Sequence, residues 1–226
     1  MSMQPPSLCA VCRAWCEGGL CADCVARFAA PRPRCLRCGL GLGIEAASCG
    51  SCQPDPPPFE RCVCVADYGF PWDQLVAGMK FRRQPEAARW LAPLLAQAVR
   101  RAQAPLPALV LPVPLPPGRL ASRGHNQAWE LARHTAAELQ LPVRHDLLQR
   151  PLGTTEQAGL QRAERQRNLR GAFMVDPRQR GALQGLAVAL VDDVMTTGST
   201  AREASATLIR AGAAAVQVWV LARTPD

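Results

Sequence analysis

The chain has 226 residues, 48% of them hydrophobic, which suffices for one full domain plus a small module and excludes wholesale disorder. Lys and Arg outnumber Asp and Glu by 26 to 18, and the resulting +8 favours anionic partners such as nucleic acid or phosphorylated small molecules. Aromatic residues make up only 5%, which argues against a stacking platform for single strands.

No apolar run approaches the roughly 20 residues that span a bilayer, and the opening Met-Ser-Met-Gln-Pro-Pro has neither the basic nor the apolar region of a secretory signal. The expected setting is therefore cytoplasmic, without membrane insertion. There, 11 cysteines are read as metal ligands before they are read as disulfides. Residues 1–55 carry Cys9-x-x-Cys12, Cys21-x-x-Cys24, Cys35-x-x-Cys38 and Cys49-x-x-Cys52. Each CxxC brings two thiolates to one tetrahedral ion from a tight turn, a second pair closes the shell, and four soft sulfurs suit structural Zn2+. Two arrangements satisfy the spacing: the local one, first pair with second and third with fourth, and a cross-braced one, first with third and second with fourth. Cys16 stands outside the pairs as a spare thiol. Such ribbons bind nucleic acid or protein, or simply staple a segment too small for its own core.

Pro54-Asp55-Pro56-Pro57-Pro58 marks the joint between residues 1–55 and a second domain, 59–226, and its prolines predict a semi-rigid spacer. Arg61 to Tyr68 reads as a strand, with Cys62 and Cys64 on one face as packing residues. A helix is predicted from Leu75 to Phe81, entering the basic cluster Lys80-Phe81-Arg82-Arg83. A stronger one runs from Glu86 to Ala102 with Trp90, Leu91, Leu94, Leu95 and Ala98 at helical spacing. Leu109 to Val113 is a short buried strand. A loop with Arg119, Arg123 and Gly124 follows, then His125-Asn126-Gln127 and a helix carrying Trp129, Leu131, Ala132 and Ala136. His125 has a solvated reading and a functional one, and His134 and His145 read as surface residues. From 150 to 172 arginines recur at helical spacing, as in an exposed charged helix or in a basic arm that closes over an anion. The chain ends in a strand at Val188, a helix from Thr200 to Arg210 stopped by Gly212, and a strand from Ala215 to Leu221.

Val188-Ala-Leu-Val-Asp192-Asp193-Val-Met-Thr196-Thr197-Gly198-Ser199-Thr200 carries the chemistry. A buried strand emerges as a loop at a helix N-terminus, where free N–H groups, hydroxyls and the helix dipole suit a phosphate. The loop is neither a Walker A sequence nor GxGxxG. An acid pair directly before a phosphate cradle fits a ribose 5-phosphate, the carboxylates accepting from the ribose hydroxyls. In open α/β sheets ligands sit outside the carboxyl ends of strands, so the Arg119–Gln127 loop faces the same ligand.

These residues resemble the phosphoribosyl-pyrophosphate (PRPP) loop of type I phosphoribosyltransferases. With the four CxxC pairs, Arg123-Gly-His-Asn126-Gln127 and Gln157…Arg165…Asn168-Leu-Arg-Gly-Ala-Phe173, the whole chain is similar to the ComF family, described as competence-related or amidophosphoribosyltransferase-like. His125 departs from the aromatic residue usual there. The resemblance implies an α/β fold, a parallel sheet flanked by helices with a mobile hood, preceded by the zinc module. It also implies PRPP binding with Mg2+: Asp192 and Asp193 on ribose, Thr196, Thr197, Gly198, Ser199 and Thr200 on the 5-phosphate, Arg123, Lys80 and Arg119 toward the pyrophosphate, and Arg162 and Arg165 closing from the hood. The function implied is phosphoribosyl transfer to an unidentified acceptor. The alternatives are a non-enzymatic handler of single-stranded DNA in competence, working with a competence helicase, and a PRPP sensor.

Overall fold

A computed structural model describes residues 6–44, 46–81, 84–151 and 171–225. The arginine-rich arm, with Arg162 and Arg165, lies outside the described residues, as do Arg82 and Arg83.

The N-terminal segment holds an antiparallel pair, Pro6–Leu8 (β1) and Trp15–Glu17 (β2), and a helix, Ala22–Phe28 (α1), whose N-cap is Cys21. Arg61–Asp67 (β3), Trp72–Phe81 (α2), Ala88–Arg101 (α3) and Leu109–Pro112 (β4) follow. After them come Pro117–Arg123 (α4), Gln127–Leu139 (α5) and a short antiparallel pair, Leu148–Gln149 (β5) with Met174–Val175 (β6). Ala187–Met195 (β7), Ser199–Arg210 (α6) and Ala215–Arg223 (β8) complete the chain.

β3, β8, β7 and β4 lie side by side in that order, all parallel. Parallel strands need crossover helices, which cover both faces of the sheet, so β7 and β8 are almost continuously apolar. Their alternation sorts the core into two layers. Ala189 and Val191 of β7, with Trp219 and Leu221 of β8, pack under α2, α3 and α5 against Met79, Leu91, Leu95 and Leu131. Val188 and Leu190, with Val216, Val218 and Val220, pack under α6 against Leu208 and Leu183. Cys62 is buried in this second layer and Cys64 packs at its edge, as the strand periodicity predicts.

Several boundaries differ from the sequence expectation. α2 begins at Trp72, because Pro71 and the Trp72 ring belong to the packed turn; the Trp72 indole N–H donates to the Phe28 carbonyl at 2.8 Å. Pro85–Ala87 is a 3-10 turn that precedes α3. β7 continues through both acids to Met195, because β8 pairs with it all the way to Met195↔Arg223.

The proline joint does not act as the predicted spacer. Arg32 and Arg34 form ion pairs with Asp67 at 2.5 and 2.6 Å, Cys62 N–H donates to Leu36 O at 2.9 Å, and Arg223 Nε donates to Cys38 O at 3.2 Å. Val11, Leu20 and Val25 pack on the α3 layer. The cysteine segment has too few apolar residues for a core of its own and borrows one from the sheet.

Candidate functional site

Side-chain alternation decides what the two acids of β7 do. Asp192 falls on the α6 side and lines a cleft with Val113, Leu190, Val194 and the Thr196–Ala201 loop. Asp193 falls on the opposite side, only 2% exposed, where Lys80 of α2 meets it with Nζ 3.0 Å from Oδ2. The contact is an ion pair, and Oδ2 has no hydrogen-bond partner among the described residues. Each acid also braces the strand end: Asp193 N–H donates to Asp192 Oδ1 at 2.8 Å, and Val194 N–H donates to Asp193 Oδ1 at 2.7 Å. Burial, reinforced by the neighbouring Asp193 charge, pushes the Asp192 carboxyl up to about 8, against the pull of Lys80.

Beyond Met195 the chain turns into α6. Gly198, at φ 77°, is the N-cap residue and supplies no side-chain cap. Thr197 Oγ1 and Ser199 Oγ are 2.8 Å apart, and Ser199 N–H donates to Thr197 Oγ1 at 3.3 Å. Hydroxyls and the first-turn N–H groups of a 12-residue helix thus surround the cleft beside Asp192. A Cβ on Gly198 would meet the Met195 side chain, Sδ at 3.5 Å and Cγ at 3.9 Å, both ordinary contacts. Gly198→Ala should therefore cost about 1 kcal/mol in chemical denaturation, from the left-handed backbone alone.

A second groove, of about 430 Å3, is lined by Lys80, Phe81, Arg119, Ser122 and Arg123. The structure brings the three expected pyrophosphate cations to one place. The Arg123 guanidinium lies 5.1 Å from the Phe81 ring centroid and donates to Gln127 Oε1 at 3.1 Å. Gly124, at φ 77°, ends α4, and Asn126 caps α5 through Ala128 N–H while its own amide donates to Val113 O at 3.0 Å. Lys80 lines the groove and also forms the ion pair with Asp193 of β7. Neither this pairing nor the seat of His125, between the Met79 and Arg123 carbonyls, carries a sequence signal. His145 is a surface residue stacked edge-on with Trp129, whereas His134 is half-buried.

The cysteines gather as Cys9, Cys12, Cys21, Cys24 and as Cys35, Cys38, Cys49, Cys52, with the four sulfurs of each set within 4.8 Å of one another. This is the local arrangement, not the cross-braced one. Cys12 and Cys21 sulfurs are 3.5 Å apart and Cys38 and Cys49 sulfurs 3.6 Å, close to the ~3.8 Å edge of a zinc tetrathiolate with 2.3 Å bonds. Burial raises Cys9, yet backbone N–H donors at Cys12, Cys21 and Val11 outweigh it and bring the thiol to about 6; Cys35 falls likewise to about 7. Burial and the neighbouring sulfurs push Cys24 up to about 12 and Cys38 to about 11. Four crowded thiols that cannot ionise together fit a divalent cation.

No family model matches the chain. It is 39% identical to DNA utilization protein YhgH of Salmonella typhi, over 97% of this chain and 98% of that one, and 37% identical to its counterpart in Escherichia coli strain K12 over the same shares. It is 37% identical to competence protein F of Haemophilus influenzae, over 92% of this chain and 91% of that one. Among solved structures it is similar to a glutamine PRPP amidotransferase from B. subtilis, with a TM-score of 0.41, 24% identity and coverage of 59% of this chain and 26% of that one. It is also similar to an adenine phosphoribosyltransferase from Leishmania donovani, with a TM-score of 0.37, 22% identity and coverage of 62% and 53%. Likenesses of that size are too slight to assign a ligand. Among the described residues, no helix is long and apolar enough to cross a membrane.

Proposed function

The chain belongs to the family of DNA utilization protein YhgH and competence protein F, and from that premise we propose that it binds PRPP, or another ribose 5-phosphate, on a type I phosphoribosyltransferase-like scaffold. The observation that carries this reading is the cleft at the end of β7, where the Asp192 carboxyl faces a hydroxyl-bearing helix N-terminus. Thr196 to Thr200 take the 5-phosphate and Asp192 accepts from a ribose hydroxyl. Lys80, Arg119 and Arg123 receive the pyrophosphate, and Arg162 and Arg165 close over it. Asp193 works from behind, fixing Lys80.

In the transfer reaction an acceptor lone pair forms the new bond to C1, and the C1–O bond to pyrophosphate breaks, with the electron pair leaving on that oxygen. Bound Mg2+ supplies charge neutralisation for the leaving group. The chain's own part is to hold the ribose by Asp192 and the loop, and to keep cations at the departing oxygens through an oxocarbenium-like state. Calorimetric titration of PRPP with Mg2+, followed by an unbiased acceptor screen for pyrophosphate release, tests both parts. Absence of PRPP binding removes the enzyme and sensor readings together; binding without turnover leaves a sensor.

The names of the relatives and the +8 charge favour a second reading, a non-enzymatic handler of single-stranded DNA acting with a competence helicase. Its binding should weaken steeply with salt, because phosphate contacts release counterions. An affinity that stays flat between about 50 and 200 mM salt counts against it.

Asp192 gives a prediction that separates ligand from fold. Its folded carboxyl lies above its ordinary value, so the folded chain holds a proton that the unfolded chain releases. Stability from this group is present below the unfolded value of about 4 and is lost as pH rises through about 8. Asp192→Asn should therefore match the wild-type Tm at pH 4, exceed it at pH 9, and still bind PRPP more weakly. A Tm difference independent of pH would show that the carboxyl is not held protonated.

A further inference from the structure

The cleft at the end of β7 offers a pentose one carboxylate where the adjacent acids suggest two. Asp192 lines it and Asp193 does not. Both oxygens of Asp193 are committed elsewhere: Oδ1 accepts from Val194 N–H at 2.7 Å, and Oδ2 is buried 3.0 Å from the Lys80 ammonium. Asp192 uses its Oδ1 to accept from Asp193 N–H at 2.8 Å, so at most one of its oxygens is open to a sugar hydroxyl. Around it the wall is apolar: Val113 after β4, Leu190 and Val194 of β7, and Val218 and Val220 of β8. The polar remainder of the lining is the Thr196–Thr200 turn, where the Thr197 and Ser199 hydroxyls already bond each other at 2.8 Å.

Selecting ribose requires partners for two neighbouring hydroxyls. A site that pairs both rejects the sugar lacking one by about ten-thousandfold, because a buried acceptor is left without its donor. A single acceptor is satisfied by a single hydroxyl, and an apolar wall favours CH2 over C–OH. Removing O2 from the pentose leaves O3 for Asp192 and gives the valines an apolar edge to pack on. We infer that the cleft binds 2-deoxypentose 5-phosphates as readily as ribose 5-phosphates, so that its ligand class includes the sugar-phosphate unit of DNA. This rests on the reading of the β7 cleft as a pentose 5-phosphate site. That unit comes from either of two sources, a free deoxynucleoside 5′-monophosphate or the phosphorylated 5′ end of a strand. In a strand the 3′ oxygen carries a phosphodiester in place of the hydroxyl and sets an anion against Asp192, so the geometry favours the monomer. The class of reaction that supplies it is phosphodiester hydrolysis leaving 5′-phosphates.

The test is displacement of PRPP from the full chain, with Mg2+ present, by ribose 5-phosphate and by 2-deoxyribose 5-phosphate. The two inhibition constants should agree within about fivefold, the size of one dispensable hydroxyl rather than of an unpaired acceptor. Asp192→Asn should weaken both sugars by a common factor, which ties the displacement to this cleft. A second arm separates the sources: 2′-deoxyadenosine 5′-monophosphate should compete and a 5′-phosphorylated oligodeoxynucleotide should not, whereas competition by the strand would place the same ligand chemistry at DNA ends. A larger preference for the ribo sugar, or no displacement by the deoxy sugar, overturns the one-carboxylate inference and leaves the cleft reading standing. So does an Asp192→Asn variant from which both sugars displace PRPP as in wild type, since they would then bind elsewhere. If PRPP itself does not bind, the cleft reading falls and this inference falls with it.

Discussion

Lys80→Met should lower stability by about 3 kcal/mol or more in urea unfolding at pH 7, an effect large for a side chain at the edge of a groove. The reason lies beneath it. Asp193 is 2% exposed, its Oδ2 faces the Lys80 ammonium at 3.0 Å and has no other hydrogen-bond partner among the described residues, and the layer around it holds Met79, Val191 and Trp219. Removing the cation leaves a buried carboxylate with one satisfied oxygen, and the desolvation cost is then uncompensated. The double variant Lys80→Met with Asp193→Leu should recover most of the loss, because an apolar pair needs no neutralisation. Arg123→Met is the control: that guanidinium sits over Phe81 at the rim, and its loss should cost under about 1 kcal/mol. If Lys80→Met unfolds like wild type, the ion pair is not what holds the end of β7, and Lys80 belongs to the groove alone.

What the sequence could and could not say follows from the reach of each interaction. The two four-cysteine clusters were legible because CxxC geometry is set within four residues, and the structure then chose the local pairing that spacing alone left open. The sheet was legible because a two-sided strand writes itself as an apolar run, and β7 and β8 do so. That Asp192 and Asp193 point to opposite sides of β7 was also available from the strand period, but adjacency in the chain led both carboxylates to be read onto one ligand. The Lys80 partnership was not available, since nothing local in Gly78-Met79-Lys80-Phe81 points to β7. Proline content at 54–58 reports backbone stiffness but not docking. The contacts that dock the cysteine segment, Arg34 with Asp67 and Trp72 with Phe28, join residues far apart in the chain.

Loss of either cysteine cluster should be expensive, and the two losses should differ in what they do to the ligand site. Structural zinc is worth on the order of 10 kcal/mol in small tetrathiolate or mixed sites, as much as a whole domain's net stability, so chelation should unfold the cysteine segment. Elemental analysis should find two zinc ions per chain, and one after Cys9→Ser or Cys35→Ser. The first cluster sits on the α3 layer: Leu20 packs there, and a Cβ on Gly19 would stand 2.7 Å from the Trp90 ring, so its loss should lower Tm by loosening α3. The second cluster backs onto the end of the sheet. Cys38 O accepts from Arg223, Arg223 pairs in register with Met195, and Thr224 N–H donates to Met195 O at 3.0 Å, one residue before Thr196. Cys35→Ser should therefore weaken PRPP binding about tenfold as well as lowering Tm, whereas Cys9→Ser should leave the affinity within about twofold, a coupling on the order of 1.4 kcal/mol. Equal affinities in the two variants would mean that the cysteine segment only staples the fold; a selective loss with Cys35→Ser would make the second metal part of the support on which the phosphate loop stands.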